Sequence, residues 1–306
     1  MIGKLLGLCA AAAFALTVAS GLAQAQQKIR AGYIPVTEYL PAFIAQEKGF
    51  FRKHGIDVEL VRVPLISNIP PALLAGDLQI GINTTTGFLQ AVDGGLDLVI
   101  IAGAARIGEK GNTVSLVAAK DSGISKPKDL EGKKLAVSGL SSALDLLVRK
   151  WMIDRGVDVQ KVNIVEVGFP LQSDALKSHQ IDAAVVIEPF RGRMIEAGIA
   201  SQLADFMPEV AANQIGNFWQ ATRAWASAHP KEIDEFRQAL QDGIDFTRTD
   251  LEEAHQIEKK YLGMSSVVLP PMSLKVTTQD LQFYLDLCKQ FGTVTGSPDL
   301  APLIAK

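Results

Sequence analysis

The sequence predicts an α/β protein built as two lobes, each around a largely parallel sheet. Three observations carry that expectation. Short apolar runs with strand character alternate with helical patterns from Lys28 onward, the same alternation starts again at about Val114, and one helix–turn–strand unit occurs in both halves. In that unit, Leu73-x-x-Gly76-Asp77-Leu78-Gln79-Ile80-Gly81-Ile82 can be laid over Leu176-x-x-His179-Gln180-Ile181-Asp182-Ala183-Ala184-Val185. Gly76 suits a left-handed helix cap, and His179 takes the same position less comfortably.

The first half opens with a strand over 28–34, ended by Pro35. The loop Val36-Thr37-Glu38-Tyr39 follows, then a helix with Pro41 in its first turn and Gly49 at its C-terminal end. A strand over 57–63, a short helix over 70–75 and strands over 78–82 and 99–102 complete it. In the second half, apolar residues 115–119 and a strand over 135–137 precede the loop Ser138-Gly139-Leu140-Ser141-Ser142. The helix after that loop has Leu144, Leu147, Val148 and Trp151 on one face, and Ser142 and Asp145 have the spacing of a helix cap. Strands over 163–167 and 183–187 follow. From about Pro230 the pattern is helical: Ile233, Phe236, Leu240 and Ile244 share a face, residues 250–261 form a charged helix, and Thr277 with Asp280 caps a last helix through Phe291.

The N-terminus reads as an export signal. Lys4 supplies the positive region, residues 5–18 carry no charge, and Ala23-Gln24-Ala25 is a small-x-small cleavage site, so residues 1–25 are expected to be removed and the mature chain to start at Gln26 in the periplasm. No later stretch is apolar for the roughly 20 residues a membrane span needs, and the mature protein is expected to be soluble and monomeric. The remaining chain is long enough for two medium domains with real cores. Among 306 residues the formal net charge is −3 and no basic stripe exists, which argues against a nucleic-acid partner. Cleavage leaves Cys288 as the one cysteine, on an apolar helical pattern that suits a packed thiol, so no internal disulfide is expected.

None of the four histidines stands at a metal-ligand spacing from another His or from Cys, and no phosphate loop, dinucleotide fingerprint or nucleophile elbow is present; no metal, cofactor or catalytic residue is expected. What the sequence does hold is a set of polar loops after strands, the edge at which open α/β sheets bind ligands. They are Thr37, Glu38 and Tyr39; Thr84, Thr85 and Thr86; Ser138, Ser141 and Ser142; and Glu188, Pro189 and Phe190. Hydroxyls and helix-start N–H groups suit a polar or anionic solute, although each also has a simpler use in capping its own helix. Arg106 is a candidate fork for a carboxylate or sulfonate. Tyr39, Phe190, Phe218 and Trp219 are candidate apolar walls, with hinge packing the alternative for Trp219. Glu188 points the other way, toward an amine or a pyrimidine.

Several segments together resemble the nitrate/sulfonate/taurine-type substrate-binding proteins of ABC importers: Ala31-Gly32-Tyr33-Ile34-Pro35; Ala45-Gln46-Glu47-Lys48-Gly49-Phe50-Phe51 with Gly55-Ile56-Asp57-Val58; Leu74-Ala75-Gly76-Asp77; Ile181-Asp182-Ala183-Ala184 with Glu188-Pro189; and Phe218-Trp219 with His229-Pro230. The resemblance spans most of residues 28–250. It implies a type II periplasmic-binding-protein fold, two α/β lobes joined by two crossovers with the ligand cleft between them. Lobe one would be 28–112 plus 217–306 and lobe two 113–216, with crossovers near 111–114 and 214–220. It implies ligand contacts at 37–39, 84–86, 138–142 and 188–190, no catalysis, and an inner-membrane ABC permease as partner. The solute is expected to be a small polar one, sulfonate- or carboxylate-like. The alternatives are a thiamine-pyrimidine precursor, or a pyrimidine-synthase enzyme of the same fold.

Overall fold

In the computed structural model, which describes residues 28–109, 113–266 and 268–306, the chain forms two five-stranded sheets. The expected signal segment and cleavage site lie outside the described residues. The first run is β1 (Ile29–Tyr33), α1 (Leu40–Glu47), α2 (Phe50–Lys53), β2 (Val58–Arg62), α3 (Ile69–Leu74), β3 (Ile80–Thr84), α4 (Thr85–Asp93) and β4 (Leu98–Arg106). The second is β5 (Val114–Ala119), β6 (Lys134–Val137), α5 (Ala143–Asp154), β7 (Asn163–Glu166), α6 (Phe169–Lys177), β8 (Ala183–Ile187), α7 (Phe190–Glu196), β9 (Ala200–Ala204) and α8 (Phe206–Ala211). The chain then returns through β10 (Ile215–Thr222) to α9 (Arg223–Ala228), α10 (Pro230–Thr249), α11 (Leu251–Leu262) and α12 (Thr278–Gln290).

The strand orders are β2-β1-β3-β10-β4 and β7-β6-β8-β5-β9, so the two sheets have the same plan. Each has a parallel triplet and one antiparallel strand set between two others. That corrects the expectation of largely parallel sheets, and the reason is topological. Strands of βα units run toward the cleft between the lobes. A strand that arrives from the other lobe starts at the cleft edge and runs away from it. β5 and β10 are those arriving strands. The sequence reading missed β9 and β10 altogether; residues 214–220, expected as the second crossover, run mostly as β10 inside the first sheet, and the chain crosses at 212–214. The third strand begins two residues late because the Leu78 N–H still closes the preceding turn onto Ala72 O. Both helix–turn–strand units make their turn with a positive φ, +78° at Gly76 and +55° at His179.

All five residues of β8, a central strand, are buried. All but the last of β4 are buried as well, although it is an edge strand, and single bridges from Ile304 and Met272 reach it outside the β10 ladder. The return segment locks the first lobe: α10 crosses α1 so closely that a Cβ on Gly243 would sit 2.3 Å from Pro41 O. Leu40 to Ala45 of α1 are buried in consequence, each large side chain contributing roughly 1.5–3 kcal/mol. That packing fixes the single 3₁₀ turn Thr37–Tyr39 at the start of α1. Cys288 is fully buried in α12, and burial raises its thiol pKa. Among the described residues no helix is long and apolar enough to cross a membrane.

Candidate functional site

A cavity of about 110 Å³ opens where the cleft edges of the two sheets face each other. An apolar cavity of about 150 Å³ accommodates benzene, so a space of about 110 Å³ limits the occupant to a small molecule unless the walls move. The first lobe lines it with residues after β1 (Ile34, Val36, Glu38, Tyr39), the ends of β3 and β4 (Thr84, Ala105, Arg106), the start of β10 (Gly216, Asn217), Pro270, Pro271 and Tyr284. The second lobe supplies the start of β5 (Thr113, Val114), Ser138, Gly139 and Ser142 after β6, Ala143 and Leu144 of α5, Phe169, Ile187 and Met207. Every contributing strand meets the cavity with the end its direction dictates.

Within the 37–39 loop the three side chains part company. Thr37 is fully buried and donates 2.7 Å to Glu258 Oε1, with Ser266 as a further partner; it does not line the cavity. Tyr39 lines the cavity with its ring edge-on to Trp219, centroids 5.3 Å apart. Glu38 lines it too and is 4 % exposed. Its Oε1 accepts from the Thr113 hydroxyl at 2.7 Å, across the lobe boundary, while Oε2 is buried without any protein partner. Burial lifts the Glu38 carboxyl to a pKa of about 7; the Thr113 hydrogen bond works against that, and the negative charges of Glu258 and Glu188 add to it.

The hydroxyl loops are largely committed to their own helices. Thr84 caps α4, its Oγ1 accepting from Gly87 N at 3.3 Å, and still touches the cavity. Thr85 is buried and donates to Ile215 O at 3.1 Å, tying α4 to β10. The Thr86 hydroxyl is buried without a partner and away from the cavity. Ser142 caps α5, accepting from Asp145 N at 3.4 Å. Ser141 takes φ +60°, its N–H held by Asp145 and its carbonyl by Gln90 Nε2 from the opposite lobe at 2.8 Å. Ser138 is half-buried at the rim.

Arg106 reaches the cavity wall, but its fork is engaged. Nη1 and Nη2 donate to the two Asp280 oxygens at 2.8 and 2.9 Å, Nη2 donates also to Lys275 O, and Nη1 also to Asn213 O. Burial raises the Asp280 pKa, and hydrogen bonds from Arg106 and Thr277 outweigh that and leave it lowered. Glu188 is not on the cavity wall: its Oε1 accepts from Arg191 Nε at 2.7 Å inside the second lobe, and burial raises its pKa against that charge. Phe190 lies behind Phe169, stacked at 6.1 Å, and Phe169 is the ring that faces the cavity. Trp219 and Phe218 are core residues, 1 % and 0 % exposed, packed on Phe236 and Phe88 respectively. Trp219 therefore supports Tyr39 from behind.

The sequence reading missed Thr113, Asn217, Tyr284 and Phe169. Asn217 Oδ1 and Tyr284 OH are both buried without a protein partner on this wall, and burial raises the Tyr284 pKa. Their signals were faint: Asn217 opens a strand that was read as a crossover, and Tyr284 sits on an apolar helix face that reads as core. Among the described residues no group of acidic, His and Cys side chains is arranged to hold a metal ion.

Residues 36–254 match the family model described as NMT1/THI5 like. Among curated proteins, the chain is 29 % identical over 214 residues to the bicarbonate transport ATP-binding protein CmpC of Synechocystis, an alignment covering 65 % of this chain and 32 % of CmpC. It spans less than half the length of the first curated relatives it matches. Its fold is that of the alkanesulfonate-binding protein SsuA from Xanthomonas axonopodis pv. citri bound to MOPS (TM-score 0.79, 18 % identity, 91 % of this chain and 98 % of that one). The periplasmic nitrate-binding protein NrtA from Synechocystis is similar in fold as well (TM-score 0.78, 16 % identity, 89 % and 83 %).

Proposed function

We infer, from a chain that belongs to the NMT1/THI5-like family and folds around a cavity shared by two lobes, that it is the solute-binding component of an ABC importer. The observation that carries this reading is the cavity itself. It is walled by both lobes at the ends of their strands, and beside it the described chain passes between them on a paired ladder at Arg106–Ile107 and Asn213–Ile215. Such a site binds on one lobe and is completed by the other when the hinge closes, and closure excludes water from the solute. The closed form is then the shape a membrane permease recognises. On this reading the protein works in the periplasm after removal of residues 1–25, as a monomer, and delivers a small solute without transforming it. The likeness of the fold to sulfonate- and nitrate-binding proteins supports the reading. An anionic solute, expected from the sequence, would need a cation other than the Arg106 fork, which Asp280 holds.

The test is a thermal-shift panel of small sulfonates, carboxylates, nitrate and nitrogen heterocycles, followed by solution scattering with the best binder. A binding protein gives a saturable rise in Tm, about 2.7 kcal/mol of added stability at a hundred times Kd, and a smaller radius of gyration with the solute chemically unchanged. Turnover of the solute, or a rise in Tm with no change of shape for any binder, would overturn the reading.

A further inference from the structure

Three buried polar atoms without protein partners belong to residues that line the same, largely apolar cavity: Glu38 Oε2, Asn217 Oδ1 and Tyr284 OH. Buried polar groups in folded proteins are almost always hydrogen-bonded, and each exception asks for an explanation. Glu38 is 4 % and Tyr284 0 % exposed, so bulk solvent does not supply the partners. All three belong to the first lobe, and they come from three separate segments: the turn before α1, the start of β10, and α12. Glu38 Oε1 already accepts from Thr113, which leaves Oε2 as the open oxygen, an acceptor once the carboxyl is ionised.

The rest of the wall decides what such a set accepts. Among the described residues lining the cavity Arg106 is the one cation, and its guanidinium is held by Asp280, Lys275 O and Asn213 O. Glu258 and Glu188 lie close enough to act on Glu38 with the same sign of charge. An anion placed here would face a carboxyl group with no counter-charge to neutralise it. A molecule that brings N–H donors gives Oε2 and Oδ1 what they lack, and the Tyr284 hydroxyl serves it as donor or acceptor. Tyr39, Phe169, Ile187 and Met207 then enclose an apolar body.

We propose that Glu38, with Asn217 and Tyr284, is the specificity-determining anchor of the cleft, and that it selects a compact nitrogen base, neutral or cationic, with N–H donors at one end, over an anion of the same shape. The proposal rests on the solute-binding reading and names the solute class within it. Selection works by the asymmetry of hydrogen bonding: with Glu38 ionised, an isostere that brings only acceptors leaves Glu38 Oε2 and Asn217 Oδ1 buried and unpaired.

Benzamidine and benzoate have nearly the same outline and opposite hydrogen-bonding character; 2-aminopyridine adds a neutral nitrogen base and phenol a neutral hydroxyl control. Calorimetric titration of the full mature chain with these four probes, plus benzenesulfonate, reads the selection directly. We expect benzamidine or 2-aminopyridine to bind at least tenfold tighter than benzoate and benzenesulfonate. Glu38→Gln should remove at least tenfold of that affinity, with an unchanged circular dichroism spectrum. Tyr284→Phe, which keeps the ring that fills the core, should cost a few-fold on its own. Tighter binding of benzoate or benzenesulfonate, or unchanged affinity for the nitrogen bases in both variants, would overturn the assignment while leaving a solute-binding protein. Binding of none of the five probes, together with no closure in scattering across the wider panel, would sink the solute-binding reading and this proposal together.

Discussion

On the first lobe the cleft edge carries Glu38, Asn217 and Tyr284 with polar atoms that no protein group satisfies; on the second it carries Ser138 and Ser142 beside Ala143, Leu144, Phe169, Ile187 and Met207. The sheets behind the two edges have the same strand plan. Their chemistry differs because the second lobe spends the Ser142 hydroxyl locally, as the cap of α5. The first lobe leaves its acceptors open, and α12 adds a fully buried tyrosine from a part of the chain that the second lobe has no counterpart for. Matching architecture thus does not give matching roles. On the proposed solute-binding function, the first lobe would discriminate between solutes and the second would cover them.

The contrast can be broken from several sides. The largest effect is expected at Trp219, which backs Tyr39 without reaching the cavity. Trp219→Ala should cost about 3–5 kcal/mol of stability, measured by denaturant unfolding, and the same amount with and without solute; a loss confined to affinity would move Trp219 into the site. Next comes Glu38. Its carboxyl titrates near 7 in the folded protein against 4.5 ordinarily, so the folded state holds a proton that the unfolded chain gives up between those values. Stability from this group is therefore full below about 4.5 and is lost as pH rises through about 7. Glu38→Gln should raise stability at pH 8 by on the order of 2–3 kcal/mol and leave it nearly unchanged at pH 4, even as binding weakens. Equal melting temperatures for the two proteins at pH 8 would contradict the burial of an unpaired charge. Removal of the α5 cap by Ser142→Ala should cost about 1 kcal/mol, again equally with and without solute; a tenfold loss of affinity would mean that the second lobe reads the solute after all. The smallest effect is expected at Gln90, whose side chain holds Ser141 O across the lobes. Gln90→Ala should leave unfolding unchanged and speed solute release a few-fold, since one neutral hydrogen bond is worth about 1 kcal/mol; an unaltered release rate would remove this contact from the closed form.

Much of the fold was legible because strand and helix periods differ and because glycine and proline mark their ends. Gly49, Gly76 and Pro41 stand at the termini they suggested. The antiparallel strands were not legible. β10 reads Ile-Gly-Asn-Phe-Trp-Gln-Ala-Thr, with a glycine, an amide and a glutamine that break an apolar run, and Gln220 is buried there with partners on β3, Asn83 Nδ2 donating to it at 3.3 Å and its own Nε2 donating to Ile82 O at 3.5 Å. No local pattern announces such a partner. Loops, by contrast, were read correctly as strand ends but without direction: one turn of 3₁₀ helix sends Thr37 into the core, Glu38 to the cavity and Tyr39 onto Trp219. Adjacent residues with the same expected role therefore differ in what they touch. Arg106 shows the other limit, because Asp280 lies 174 residues away and nothing near either one pairs them.

The chain leaves the first sheet at Arg106 and re-enters it at Ile215, and these two residues face each other on one antiparallel ladder, continued by Ile107 N–H to Gln214 O and Asn213 N–H to Ile107 O. The second lobe thus hangs from the first as an insert at the tip of a hairpin. Every strand of the first sheet lies outside residues 108–214, so the register of that sheet is set without any strand of the second lobe. The two segments that flank the insert are paired on one ladder as far as Ile107 and Asn213, so bending there carries both together.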